Sequence, residues 1–374
     1  MTKKLSVFSV VISVIFSISL ISCKKKQSDF AFPHIQSVYS NNISKVIAFD
    51  KDDVFLAGSF GYAARTDKGS QIRFENSEKG FWQIQDTGLE EALLCDASFP
   101  DPMNGWVVGI TGIILHTTDG GKTWVRQESG TENHLFSVCF VDRNNGWAVG
   151  AMETVRHTSD GGKTWEEQEE AKSAEEDFFA VDINYNGVYF HDANEGWFVG
   201  EFGTINHTTD GGKTWNYYEE PLLKPPFDEQ TWEEPKFTLF DVYFADRNRG
   251  FLLGIEGTLL KTDDGGKEWK KVDSSTDQAL YSLTSVGDKC WAVGSRGAFI
   301  YSTDGGSTWS WDKEAIHTKG FLTSVSFSDE NNGWVVGKSG AVFKTVDGGE
   351  KWDWLSGVSY DWPEFKPPKI LVGE

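Results

Sequence analysis

The sequence predicts an all-β fold, a seven-bladed β-propeller of four-stranded antiparallel blades, and three observations predict it. The first is an octapeptide, Thr117-Thr-Asp-Gly-Gly-Lys-Thr-Trp124, that returns with small changes at Thr158 to Trp165, Thr208 to Trp215, Thr262 to Trp269, Ser302 to Trp309 and Thr345 to Trp352. The second is a companion upstream of each copy, from Gly105-Trp-Val-Val-Gly109 through Gly146-Trp-Ala-Val-Gly150 to Gly333-Trp-Val-Val-Gly337. The third is their fixed separation: 18 residues from the aromatic of the companion to the tryptophan of the octapeptide, in all six units. A worn seventh copy, Val54-Phe-Leu-Ala-Gly58 with Thr66-Asp-Lys-Gly69 and Trp82, opens the array. A unit of about 40 residues that reads as four short strands is the signature of a propeller blade.

Taken in chain order, Met1-Thr-Lys-Lys4 is basic and Leu5 to Leu20 is an apolar run broken only by serines, so residues 1–22 read as an export leader. Leu20-Ile-Ser-Cys23 has the form of a lipoprotein processing site, which makes Cys23 the lipidated N-terminus and residues 23–36 a polar tether. Several acyl chains on one residue anchor stably where one is marginal. The expected location is the cell envelope, and resemblance to other lipoproteins, in which the residue after the lipidated cysteine matters, implies the outer membrane rather than the inner, since no Asp follows Cys23. The ring itself spans residues 37–358, and residues 359–374 form a tail. Within the unit around Trp147, Phe136 to Val141 is the first strand and Asp142-Arg-Asn-Asn-Gly146 a polar turn; Trp147 to Val149, Thr154 to Thr158 and the chain from Trp165 supply the rest.

The octapeptide spans the hairpin between third and fourth strands. Its paired glycines supply positive φ, and its aspartate accepts hydrogen bonds from the turn's amides. Its tryptophan plugs the gap between neighbouring sheets, and truncating one costs about 3–5 kcal/mol. These are structural roles for Asp119 and Trp124, Asp160 and Trp165, Asp210 and Trp215, Asp264 and Trp269, Asp304 and Trp309, and Asp347 and Trp352. The pattern Ser/Thr-x-Asp-x-Gly-x-Thr-Trp resembles the Asp-box of the bacterial neuraminidase repeat. With Gly-Trp-x-x-Gly at a fixed distance upstream, the chain more closely resembles the photosystem II stability and assembly factor family. That resemblance implies a seven-bladed propeller, often on a lipoprotein or lumenal precursor, that acts without catalysis as a chaperone for membrane-complex assembly. It also implies an arginine-bearing client patch, for which Arg156 and Arg296 are loose matches.

Composition narrows the partners. A net charge of −21, or −23 once Lys3 and Lys4 leave with the leader, repels nucleic acid. Cys95, Cys139 and Cys290 sit at unmatched repeat positions, which argues for free thiols, a Cys95 to Cys139 bridge being the alternative. No cofactor is expected. Asp182-Ile-Asn-Tyr-Asn-Gly187 has the opening spacing of a calcium loop, with Asp182, Asn184 and Asn186 as ligand positions, but the twelfth position is Ala193 and an asparagine-rich turn is the better reading. His116, His157 and His207 recur three residues before the box aspartate, the pattern of a solvated sheet face.

The repeats differ where blades are joined. From box tryptophan to the next second-strand aromatic the distances are 24, 23, 32, 36, 22 and 25 residues, so the connections after Trp165 and Trp215 are enlarged. Both join a fourth strand to the next first strand, which places them on one face, opposite the Asp-box turns. They carry Phe178, Phe179 and Tyr185, then Tyr217, Tyr218, Phe227 and Trp232, among acidic residues and prolines. Loops of that composition on a rigid scaffold suit recognition of a protein of a membrane or envelope complex by a monomer, with carbohydrate binding or sialidase-like hydrolysis as the alternative. Hydrolysis of that kind needs a cluster of arginines, and the chain's eight are scattered.

Overall fold

Period-2 alternation with glycine turns folds each repeat into an antiparallel sheet. The computed structural model describes residues 42–71, 81–89, 91–169, 183–218, 223 and 237–356. They form seven four-stranded antiparallel sheets whose strand order follows chain order, so the predicted seven-bladed propeller is the observed fold. Blades 1 to 7 occupy residues 43–85, 94–127, 135–167, 185–217, 239–271, 280–311 and 322–356. First strands of neighbouring blades stand side by side around the axis. Second strands such as Gly146–Gly150 are buried along their whole length, because neighbouring blades cover both faces. No helix among the described residues is long and apolar enough to cross a membrane. The expected leader, Cys23, the tether and the tail lie outside the described residues, as do 170–182 and most of 219–236.

The companion motif supplies the joints between blades. Trp147 of blade 3 is wholly buried and lies flat on Phe190 of blade 4, centroids 3.5 Å apart and planes 7° from parallel. Trp106 stacks on Phe140 at 3.6 Å and Trp291 on Phe327 at 3.7 Å in the same way. The box tryptophan of the later blade meets that phenylalanine edge-on: Trp165 on Phe140 at 5.8 Å and 83°, Trp215 on Phe190 at 5.8 Å and 85°. Flat and edge-on contacts both suit ring quadrupoles. The glycine before Trp147 is a steric requirement, since a Cβ on Gly146 would stand 2.4 Å from the Phe140 ring. Blade 6 departs on both sides of this pair: Ser285 replaces the phenylalanine and Cys290, opposite it, replaces the glycine.

Each Asp-box closes on itself. In blade 3, Thr158 Oγ1 donates to Asp160 Oδ1 at 2.9 Å and accepts from the Gly162 amide at 2.8 Å. The Thr164 amide and hydroxyl donate to Asp160 at 2.9 and 2.8 Å. Gly161 and Gly162 have φ of 77° and 84°, where any other residue is strained. A glutamine from the preceding blade locks the joint: Gln127 Nε2 donates to Gly161 O at 2.9 Å, and Gln127 Oε1 accepts from Trp165 Nε1 at 3.3 Å.

The ring closes without strand exchange. Blade 1 is built entirely from the N-terminal side and blade 7 from the C-terminal side. They meet through Ser324 and Ser326, which accept from the Val46 and Ala48 amides at 3.2 and 3.0 Å. Trp82 of the worn repeat packs edge-on to Trp334 at 5.8 Å, and the buried Lys344 ammonium donates to Gly69 O at 2.6 Å. The contacts of Ser324 and Ser326 recur around the channel. Asp96 and Ser98 of blade 2 accept from the Val138 and Phe140 amides of blade 3, and Ser282 of blade 6 from Val325 of blade 7. Side chains thus satisfy inner-edge amides that would otherwise be left open.

Candidate partner-binding face

The turns divide the disc into two faces. On one, each Asp-box turn is stitched to the turn between first and second strands, as in Gly161 N to Asn144 O at 3.0 Å. On the other, each turn between second and third strands leans on the connection that leaves the same blade: Gly61 N donates to Ala92 O at 2.7 Å, Gly203 N to Phe237 O at 2.9 Å and Gly297 N to Gly320 O at 2.7 Å. The ends of both enlarged connections join this second face, through Glu153 N to Ile183 O at 2.8 Å and the Gly203 contact.

Several sequence-predicted site residues are placed differently from expectation. Tyr185 is 2% exposed and starts the first strand of blade 4, its ring tilted against that of Phe198 with centroids 4.5 Å apart. It fills the core position that Leu135 and Leu239 hold in blades 3 and 5, so its expected role in binding is corrected. Tyr217 is half-buried in a fourth strand opposite Asn206, and Tyr218 packs on the cluster around Trp197 and Trp269 while its hydroxyl donates to Lys267 O at 3.0 Å. These two brace the foot of the second insertion. Phe178, Phe179, Phe227 and Trp232 lie outside the described residues.

Arg156 and Arg296 do not form a patch. The Arg156 side chain, 11% exposed on a third strand of blade 3, reaches Glu167 at 3.5 Å; Arg296 is exposed on a turn of blade 6. Two of the three calcium-loop positions are described, and Asn186 lies in the first strand of blade 4 and not in the expected asparagine-rich turn. Asn184 donates to Glu201 and Asn186 to Leu239 O of the next blade, so both amides brace a strand; Asp182 lies outside the described residues. No group of three His, Cys, Asp or Glu among the described residues is placed to hold a metal. The three histidines are not a solvated row. They stack on the second-strand tryptophans, His116 on Trp106 at 4.2 Å and His207 on Trp197 at 4.4 Å, and burial lowers the pKa of all three. Cys95, Cys139 and Cys290 are free thiols, pushed upward in pKa by burial.

In the channel, Lys45 of blade 1 pairs with Asp96 of blade 2 at 2.8 Å. Burial disfavours the Lys45 charge, but Asp96 outweighs it and the pKa rises. Asp241 of blade 5 shares this surrounding, and burial pushes its carboxyl up to about 7.

The second face presents residues that sequence reasoning missed. Six of the seven turns there end in an x-Gly pair, and in blade 3 Glu153 takes the glycine's place with φ of 58°; x has positive φ throughout, 60° at Phe60, 55° at Thr111, 54° at Met152, 55° at Phe202, 53° at Glu256, 51° at Arg296 and 58° at Ser339. Asn or Gly suits that conformation, yet blades 1, 3 and 4 place large apolar side chains there, 56%, 56% and 39% exposed for Phe60, Met152 and Phe202. Half-buried aromatics line the channel on the same side, with Phe240 edge-on to Tyr281 at 5.0 Å and Lys338 over Phe321 at 4.5 Å. The signal was available as the second residue after the glycine that ends each second strand, read across the repeats.

A family model described as photosynthesis system II assembly factor YCF48 matches residues 74–133, 127–222, 226–313 and 310–364. The chain is 36% identical over 74 residues to the photosystem II assembly lipoprotein Ycf48 of Synechococcus sp. (strain CC9902), 19% of this chain and 22% of that protein. It is 34% identical over 98 residues to the chloroplastic photosystem II stability/assembly factor HCF136 of Arabidopsis thaliana, 22% of this chain and 24% of that one. These matches span about a quarter or less of each curated relative. Both relatives are assembly factors rather than hydrolases, as the non-enzymatic reading expects. A solved structure of YCF48 bound to D1 peptide superposes with a TM-score of 0.61 at 20% identity, over 82% of this chain and 93% of that one. A GH74 enzyme of Niastella koreensis superposes at 0.60 with 14% identity, over 84% and 54%. At such identities the likeness is one of fold. The family match covers most of the chain, and the chain belongs to the photosynthesis system II assembly factor YCF48 family.

Proposed function

We propose that the protein is an envelope-anchored, non-enzymatic assembly factor that holds a polypeptide segment of a membrane-complex subunit on the face of its second-to-third-strand turns. Family membership carries the assembly role. The exposed Phe60, Met152 and Phe202 support the choice of face, because the opposite face consumes its polar groups in its own turns. A solved relative holds a D1 peptide, which supports an extended segment as the client form. Cys23 supplies the anchor, as the lipoprotein name of the cyanobacterial relative supports. The two insertions are acidic and aromatic in sequence, and their described ends meet the same face.

Crosslinking in gently solubilised envelopes tests the reading. The wild type is expected to capture one membrane-complex subunit in stoichiometric amount, and deletion of residues 170–177 is expected to lose it with the melting temperature kept. Capture unaltered by the deletion and by the turn variants below counts against this face. Labelled palmitate is expected on the wild type and absent from Cys23→Ala.

A further inference from the structure

We infer that the client segment is cationic with apolar anchors, an inference that rests on the binding face proposed above. The apolar apices Phe60, Met152 and Phe202 stand among carboxylates carried by the neighbouring connections and turns. Glu91 follows blade 1, Glu128 and Glu132 follow blade 2, Glu256 is the turn apex of blade 5, and Asp273 and Asp277 follow blade 5; all six are exposed. Among the described residues, the exposed cations of this face cluster at blade 6, where Arg296 is the turn apex and Lys313 and Lys319 follow. Apolar anchors inside a rim of one sign select a partner of opposite sign, which the field steers in and the anchors retain. The same rim repels an acidic peptide or an anionic lipid surface.

Three fluorescent 20-residue peptides test it against the full chain: one with alternating Lys and spaced Phe and Leu, its Lys→Gln counterpart and its Lys→Glu counterpart. The Lys peptide is expected to bind at least about tenfold more tightly than the Gln form and to weaken between about 50 and 300 mM salt. The triple variant Phe60→Asn, Met152→Asn and Phe202→Asn is expected to lose about tenfold or more in affinity for it. Asparagine suits positive φ, so the fold is expected to persist, and an unchanged melting curve separates lost binding from lost structure. Glu91→Gln, Glu128→Gln and Glu132→Gln together, which neutralise half of the six rim carboxylates, are expected to weaken the salt dependence and spare the melting temperature. Equal binding of all three peptides overturns the charge selection and leaves the binding face standing. Preference for the Glu peptide, binding unchanged by the Asn variant, or no binding of any peptide overturns the inference. Uptake on phosphatidylcholine vesicles with phosphatidylglycerol, lost in the Asn variant, overturns it in favour of a lipid surface.

Discussion

The two faces of this disc are built from turns of the same seven blades and spend them differently. On the Asp-box face the turns repeat almost atom for atom, every box aspartate is consumed by its own hairpin, and cations are paired across blades, as Arg143 with Asp101 at 2.9 Å and Arg247 with Asp192 at 2.5 Å. On the opposite face backbone geometry repeats but side chains do not: the same turn position holds Phe, Thr, Met, Phe, Glu, Arg and Ser. Uniform turns do the work of assembly, and variable apices on invariant geometry leave chemistry free for recognition.

The largest test of that contrast is in the joints. Trp147→Ala removes the ring stacked on Phe190 and is expected to destabilise by about 4 kcal/mol in denaturant unfolding. Gly146→Ala drives a methyl into Phe140 and is expected to cost about 2–3 kcal/mol, whereas Cys290→Ala, at the same register opposite Ser285, is expected to cost under about 1 kcal/mol. Asp160→Ala strips the box hydrogen bonds and is expected to cost about 1–2 kcal/mol, read as a lowered melting temperature.

A pH series gives two limbs of opposite sign. Asp119, held at about 2 by the Thr123 amide and hydroxyl, contributes stability that is present above about pH 4 and lost as pH falls through about 2. Asp241, raised to about 7 by burial, favours the protonated folded state, so stability is highest near pH 4 and declines as pH rises toward about 7. Asp241→Asn is expected to flatten the neutral limb of melting temperature against pH and leave the acid limb. The smallest effect belongs to the apices: Phe202→Asn is expected to change stability by less than about 0.5 kcal/mol while weakening peptide binding.

Fold, blade number, the box hairpin and the side on which the insertions emerge were legible because a repeat averages out local noise. Six copies in one register reveal which positions point into joints, as for Trp147 and Trp165. What the sequence hides is which side chains cover one another across a sheet. The polar strand position of His116 suggests a solvated face, but its cross-strand neighbour in the same blade, Trp106, stacks on it and leaves it half-buried. Tyr185 was assigned to a loop because the insertion hides where the strand begins, although aligning it with Leu135 and Leu239 places it in the core. The apices Phe60, Met152 and Phe202 are inconspicuous because their turns keep constant length and vary only in residue, whereas the insertions announce themselves by length.

The seam between blades 1 and 7 is fastened by side chains and packing, with each terminal blade complete from its own end of the chain. A circle fastened in this way has no privileged starting point. Its seam uses the same class of contact as every other junction, so a gene rearrangement that begins the chain at another blade boundary would preserve every sheet. Such a rearrangement would move the chain's entry point around the rim while every joint between blades kept its partners.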